Sequence, residues 1–213
     1  MVGCPRIDLV SDLLSRDSFG INSNLFSSGV GSPLDLDKPF VLISQHPVTT
    51  EFGEGEKQIL NTLEAVKETN IPAIVLWPNA DAGSDDISQG IRKWRESKLD
   101  GGMHFFKNLP IEDYILLMNK TSCLLGNSSS GIREGAFIGT PVVNIGSRQN
   151  ARDRGKNVID TNYSKDAIIN ALSFQISHGK YQSEAIYGDG NAGKKIADIL
   201  SKEDVEIQKK ITY

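Results

Sequence analysis

Cysteine is scarce. The 213 residues contain two, Cys4 and Cys123, in no metal-ligand spacing. Such a pair builds neither a disulfide framework nor a zinc site, and both are expected to be reduced thiols in a cytoplasmic protein. No apolar run approaches the ~20 residues that span a bilayer. The opening MVGCPRIDLV lacks the basic-then-apolar layout of a signal peptide, so neither membrane nor export is expected. Dense Lys/Arg blocks are missing, and 23 basic against 27 acidic residues leave a net charge of −4. That balance argues against a nucleic-acid surface. Also missing are a catalytic triad and a glycine-rich nucleotide loop. What is present, 38% apolar and 23% charged residues, is the composition of a globular chain. Its length suits one α/β domain or two small ones.

From Phe40 onward, short apolar runs alternate with amphipathic stretches. The runs at 40–44, 73–77, 103–106, 123–125 and 142–145 are rich in branched or aromatic residues. Pro39, Pro72 and Pro141 precede three of them, where a missing N–H costs a strand least. Uninterrupted apolarity predicts strands covered on both faces. Between the first two runs, Ile59, Leu60, Leu63 and Val66 form one stripe of a predicted helix, with Glu56, Lys57, Glu64 and Lys67 facing water. Ile111, Ile115 and Met118 keep helical spacing, as do Ile168, Ile169 and Leu172. The alternation predicts a single α/β domain over residues 1–213, a doubly wound, Rossmann-like parallel sheet with right-handed crossovers. Residues 11–33, rich in Ser and Gly, read as a helix end followed by a loop. The charged segment 201–213 reads as a C-terminal helix.

Ligands of open α/β sheets sit beyond the carboxyl ends of the strands, so the residues following each run are the candidates. After 123–125 comes Gly126-Asn127-Ser128-Ser129-Ser130-Gly131-Ile132-Arg133-Glu134, leading into a helical stretch. Small hydroxyl residues at a helix start offer N–H and O–H donors suited to phosphate; the ordinary alternative is that Ser128 or Ser129 caps the helix. Glu134, about one and a half turns in, suits the vicinal hydroxyls of a ribose, or is a solvated first-turn carboxylate. His46, in QHPVTT after 40–44, can bind a phosphate oxygen or move a proton near pH 7; a lone His is more often a structural hydrogen-bonder. His104 and His178 have no such position and read as structural. Asn79 and Asp81, in WPNADAGS, reach a ligand or build an Asx turn. Arg148, in GSRQ, pairs with phosphate or is a surface charge. YGDGNA reads as a tight turn before a last helix. Together these groups crowd one rim and point to a phosphorylated ligand.

GCPRIDL, QHPVTT, WPNADAGS, GNSSSGIREGAFIGTPVVNIGSRQ and YGDGNA, in this order, resemble the carboxyl-terminal half of UDP-N-acetylglucosamine 2-epimerases. QHPVTT and PNADAGS are most similar to the hydrolysing branch, which feeds sialic-acid synthesis. The resemblance implies one half of a glycosyltransferase-B architecture, with the amino-terminal domain of the family absent and needed in cis or in trans. It implies that Ser128 and Ser129 hold the diphosphate, Glu134 the ribose, and His46 and Arg148 the phosphate region. Asn79 would lie near the nucleotide sugar and the uracil by 106–109. The implied reaction removes the C2 proton of UDP-N-acetylglucosamine and expels UDP. Water then adds to give N-acetylmannosamine, or UDP adds back in the non-hydrolysing branch. Neither a metal nor a nicotinamide is required. Because the other acids and bases at C2 come mainly from the first domain, this chain alone is expected to turn over little or nothing. The face left open also suggests a homo-oligomer. A UDP-sugar-binding half of a glycosyltransferase and a non-catalytic nucleotide-binding module remain the alternatives.

Overall fold

In a computed structural model of the chain, residues 1–16, 20–97 and 102–203 are described. Five apolar runs form the centre of a seven-stranded sheet. They are β2 (Val41–Ser44), β3 (Ala73–Leu76), β4 (Met103–Phe106), β5 (Cys123–Gly126) and β6 (Val142–Ile145), nearly all of their residues buried. Two edge strands complete it, β1 (Val30–Gly31) and β7 (Val158–Thr161). The order is β1-β4-β3-β2-β5-β6-β7, and all neighbours are parallel except β1 with β4. The six parallel strands thus run outward from the β2–β5 pair in both directions, the winding of a Rossmann-like sheet.

Alternation of side chains along each strand splits the core in two. Val41, Ile43, Val75, Phe105, Leu125, Val143 and Ile145 face one side. There they meet α2 (Gly55–Glu68), α3 (Ser84–Glu96) and α7 (Lys165–His178), through residues such as Ile59, Leu63, Ile91 and Leu172. Leu42, Ile74, Leu124 and Val142 face the other side, under α1 (Pro5–Ser15) and α4 (Ile111–Lys120), with Val10, Ile115 and Met118. The helical stripe expected around Ile59 lies on α2, with Leu60 only half-buried. A last helix, α8 (Ala192–Leu200), packs against α1. Asp8 of α1 accepts the backbone N–H groups of Ala192 at 2.9 Å and Gly193 at 2.6 Å, so the YGDGNA turn starts a helix whose cap comes from the other end of the chain.

The outer strands depart from the expected pattern. Residues 11–33 do contain a helix end, at Ser15, and the described residues 20–33 are mostly irregular backbone. Within that stretch β1 pairs antiparallel with β4, so the sheet is not wholly parallel. His104, on β4, turns both ring nitrogens toward backbone carbonyls of this strap, Ser28 at 3.0 Å and Ser32 at 3.2 Å, and has a structural place as expected. β7 is only partly buried and carries Asp160, so it lacks the apolar signature of its neighbours. Of the expected C-terminal helix, 201–203 follow α8 as a turn, and residues 204–213 lie outside the described residues. Cys4 is half-buried and Cys123 buried, and neither forms a disulfide.

Candidate functional site

At the carboxyl ends of β2 and β5 the two central strands are stitched together. The His46 backbone N–H donates to Asn127 Oδ1 at 2.7 Å, and Asn127 Nδ2 donates to the His46 carbonyl at 2.8 Å. Asn127 is buried, so this clasp fixes both post-strand loops. Gly126 makes the junction possible. Its φ is +133°, and a Cβ there would stand 2.2 Å from the Ser44 carbonyl oxygen.

Over this junction lies a cleft of about 400 Å³. His46, Asn79, Ser128, Ser129 and Glu134, five of the six residues to which the resemblance gave a role, line it together, with Lys107, Asn108 and Leu109 of the 106–109 loop. Arg148 does not. It lines a neighbouring cavity of about 610 Å³ together with Thr49, Thr50, Asp81 and Ser147. Its guanidinium pairs with Asp81 at 3.1 Å and donates to the Asn127 carbonyl at 3.3 Å, so it stands behind the clasp rather than in the cleft.

The serine segment is not one helix. α5 (Ser129–Ile132) and α6 (Glu134–Ile138) are short pieces broken at Arg133, whose φ/ψ is −90°/−70°. Glu134 is therefore the first residue of the second piece, and neither short piece carries the dipole of a long helix. Ser128 does cap α5, accepting the Ser130 N–H at 3.4 Å. Donors here are individual hydroxyls and N–H groups. Gly131 lets α5 sit tightly on the sheet, since a Cβ there would meet Val142 Cγ1 at 2.9 Å.

Glu134 is 3% exposed. Its Oε1 lies 3.4 Å from both Arg6 Nε and Arg133 Nη2, while the equally buried Oε2 has no protein partner. Burial raises its pKa, opposed first by the Arg133 charge. Arg6 of α1 was not legible as a site residue. The only signal was its place inside GCPRIDL, and it reaches the cleft because α1 packs on α6. Tyr114 of α4 also lines the cleft and was read only as part of a helix.

Burial, and then the Arg148 charge, push the His46 pKa down to about 4. The Asn79 backbone N–H donates to Nδ1 at 3.2 Å, placing the proton of the neutral ring on Nε2. Without ligand the ring is thus neutral at pH 7, not poised there as the sequence suggested. Unfolded, it takes up its proton near 6.5, so the stability this neutral ring contributes is complete above pH 6.5 and is lost as the pH falls toward 4. We expect that loss to reach up to about 3 kcal/mol, and imidazole NMR to detect no His46 protonation step above about pH 5. A midpoint near 6.5 would mean that the ring is solvated.

A six-strand parallel winding with polar groups gathered beyond the central strand ends defines a Rossmann-like domain. Comparison with known proteins is more specific: the profile described as UDP-N-acetylglucosamine 2-epimerase matches residues 1–201, and the chain belongs to that family. The UDP-N,N'-diacetylbacillosamine 2-epimerase (hydrolyzing) of Legionella pneumophila is 32% identical over 199 residues, 93% of this chain and 50% of that protein. The UDP-N-acetylglucosamine 2-epimerase of Neisseria meningitidis serogroup B is 28% identical over 162 residues, 75% of this chain and 42% of that protein. Among solved structures, UDP-GlcNAc 2-epimerase from Neisseria meningitidis bound to UDP-GlcNAc superposes with a TM-score of 0.71 at 19% identity, covering 95% of this chain and 55% of that one. E. coli ADP-heptose lps heptosyltransferase II shares the fold alone, at a TM-score of 0.51 and 10% identity over 68% of this chain and 48% of that one. The chain spans about half the length of the curated relatives it matches over most of its own length. Among the described residues, no helix is long and apolar enough to cross a membrane.

Proposed function

We propose that residues 1–213 are the UDP-binding, carboxyl-terminal domain of a hydrolysing UDP-N-acetylglucosamine 2-epimerase. The observation that carries this reading is Glu134 Oε2, a buried acceptor without a protein partner, beside the hydroxyls of Ser128 and Ser130 in one cleft. A buried carboxylate oxygen left unpaired is costly, and a ribose diol supplies the two donors that relieve it. The diphosphate then lies against Ser128 and Ser129, and the uracil lies by Lys107, Asn108 and Leu109. Asn79 approaches the sugar. His46, a neutral ring, faces the phosphate region, with Arg148 behind it. In this reading His46 contributes to departure of UDP, while most groups that act at C2 belong to a second domain in cis or in trans. The site is cytoplasmic, where nucleotide sugars are made, and its product serves sialic-acid synthesis.

The hydrolysing assignment draws support from the Legionella relative, whose printed name carries that activity. The same relative, and one from Campylobacter jejuni 35% identical over 131 residues, 60% of this chain and 33% of that protein, are named for diacetylbacillosamine substrates. That favours, as a second reading, a UDP sugar carrying a further N-acetyl group at C4.

Calorimetric titration of the chain tests the binding claim. Saturable heat with UDP and none with ADP is expected, and no heat at millimolar UDP would overturn it. Epimerisation or hydrolysis of UDP-N-acetylglucosamine by residues 1–213 alone would overturn the division of labour between domains. Assaying the chain joined to its second domain with both sugars separates the two substrate readings.

A further inference from the structure

Tyr114 has no part in the mechanism above, yet it is wired to both ends of the site. Its hydroxyl lies 2.6 Å from Ser130 Oγ, which lies 2.8 Å from Ser128 Oγ. The same phenol also faces the Ser128 and Ser44 hydroxyls, more weakly than Ser130. Ser44 Oγ in turn lies 3.4 Å from His46 Nε2.

The proton directions along this chain follow from its fixed members. The Asn79 N–H donates to His46 Nδ1, so the neutral ring directs its Nε2 proton toward Ser44. A phenol is a stronger donor than an alcohol, so Tyr114 donates across the short contact to Ser130. We take Ser130, which accepts from the phenol, to turn its own proton to Ser128, 2.8 Å away. Ser128 Oγ also accepts the Ser130 N–H. A hydroxyl has one proton and two lone pairs. With both lone pairs of Ser128 occupied, its proton is left to the cleft.

We propose that Tyr114 is a positioning residue for phosphate recognition: acting through Ser130, it fixes the Ser128 hydroxyl as an outward donor. The mouth of the cleft is thereby set for an oxygen that only accepts, an ionised phosphate, and against a group that must donate, such as a sugar hydroxyl. That a ligand enters here is indicated independently by the unpartnered, buried Glu134 Oε2 in the same cleft. The inference rests on the reading of the cleft as a UDP site.

The test titrates wild type, Tyr114→Phe, Ser130→Ala and the double variant with UDP by calorimetry and with uridine by ligand-observed NMR. Each single variant should bind UDP about tenfold more weakly, the double variant no more weakly than either, and uridine affinity should move by less than about twofold. Uridine shares the ribose and base contacts but has no phosphate, so damage to the fold would weaken both ligands together. Ser130→Ala breaks the middle link without touching α4, and keeps the test in hand if Tyr114→Phe does not fold. Unchanged UDP affinity in both single variants, or parallel losses for UDP and uridine, overturns the inference while leaving the UDP site standing. Wild-type protein that binds no UDP removes that site, and the inference with it.

Discussion

Replacing Glu134 with Ala lowers UDP affinity by about 100-fold. Two hydrogen bonds from a ribose diol to a charged, buried acceptor are worth about 1.5–3 kcal/mol each, and part of that is returned when water fills the space. A net loss near 3 kcal/mol is about two decades in the dissociation constant. Glu134→Gln keeps the volume and one acceptor, so its loss is smaller, about tenfold. Stability should move differently. Burial holds the carboxyl pKa above its ordinary value, which means that the folded protein disfavours the ionised form. At neutral pH that ionised form is a cost to the free protein, relieved as the pH falls through the carboxylate range. The Gln variant, which has no charge to bury, should therefore be at least as stable as wild type in a thermal melt while binding UDP less well. Arg6 and Arg133 lose a partner, but their side chains are 42% and 30% exposed and can turn to water. A Gln variant with wild-type affinity would show that this carboxylate does not hold the nucleotide.

Gly126→Ala should cost about 3–5 kcal/mol, combining the strain of a positive φ with an overpacked junction. The new methyl would fall 2.2 Å from the Ser44 carbonyl oxygen, which belongs to the rigid end of β2 and cannot step aside. Gly53→Ala is the control. Gly53 also has a positive φ, +85°, but nothing lies within 4 Å of its added Cβ, so it should lose only about 1–2 kcal/mol. Urea unfolding of the two variants separates clash from strain. Equal losses would show that the β2–β5 junction yields. Because the clasp between His46 and Asn127 begins one residue beyond this contact, Gly126→Ala should also weaken UDP binding.

The central strands were legible because Val41–Ser44 and its neighbours are apolar on both faces, and only a strand buried in a parallel sheet needs that. β7 was not, since an edge strand can carry Asp160 on an open face. β1 was not, since two exposed residues held by backbone bonds leave no side-chain pattern. Of the site, the residues that follow strands in the chain were found by position: His46, Asn79, Ser128 and Ser129. Arg148 shares that position, but β6 lies one strand farther from the junction, and its side chain opens into the next cavity. Arg6 and Tyr114 come from helices laid over the sheet, and nothing local marks a helical residue that happens to overhang a strand end. The break at Arg133 was equally silent, because Ser129 to Ile138 read as one helical stretch although it folds as two.

The β2–β5 pairing also governs how the chain is assembled during synthesis. β2 leaves the ribosome before its partners and gains β3 and then β4 on one flank, but its other flank is completed only by β5, about eighty residues later. Until then a strand destined for the centre of the sheet is an unprotected edge, able to recruit a neighbouring polypeptide. Truncations ending before Cys123 should therefore clump, and those that retain β7 and α7 should not, in ultracentrifugation of the fragments.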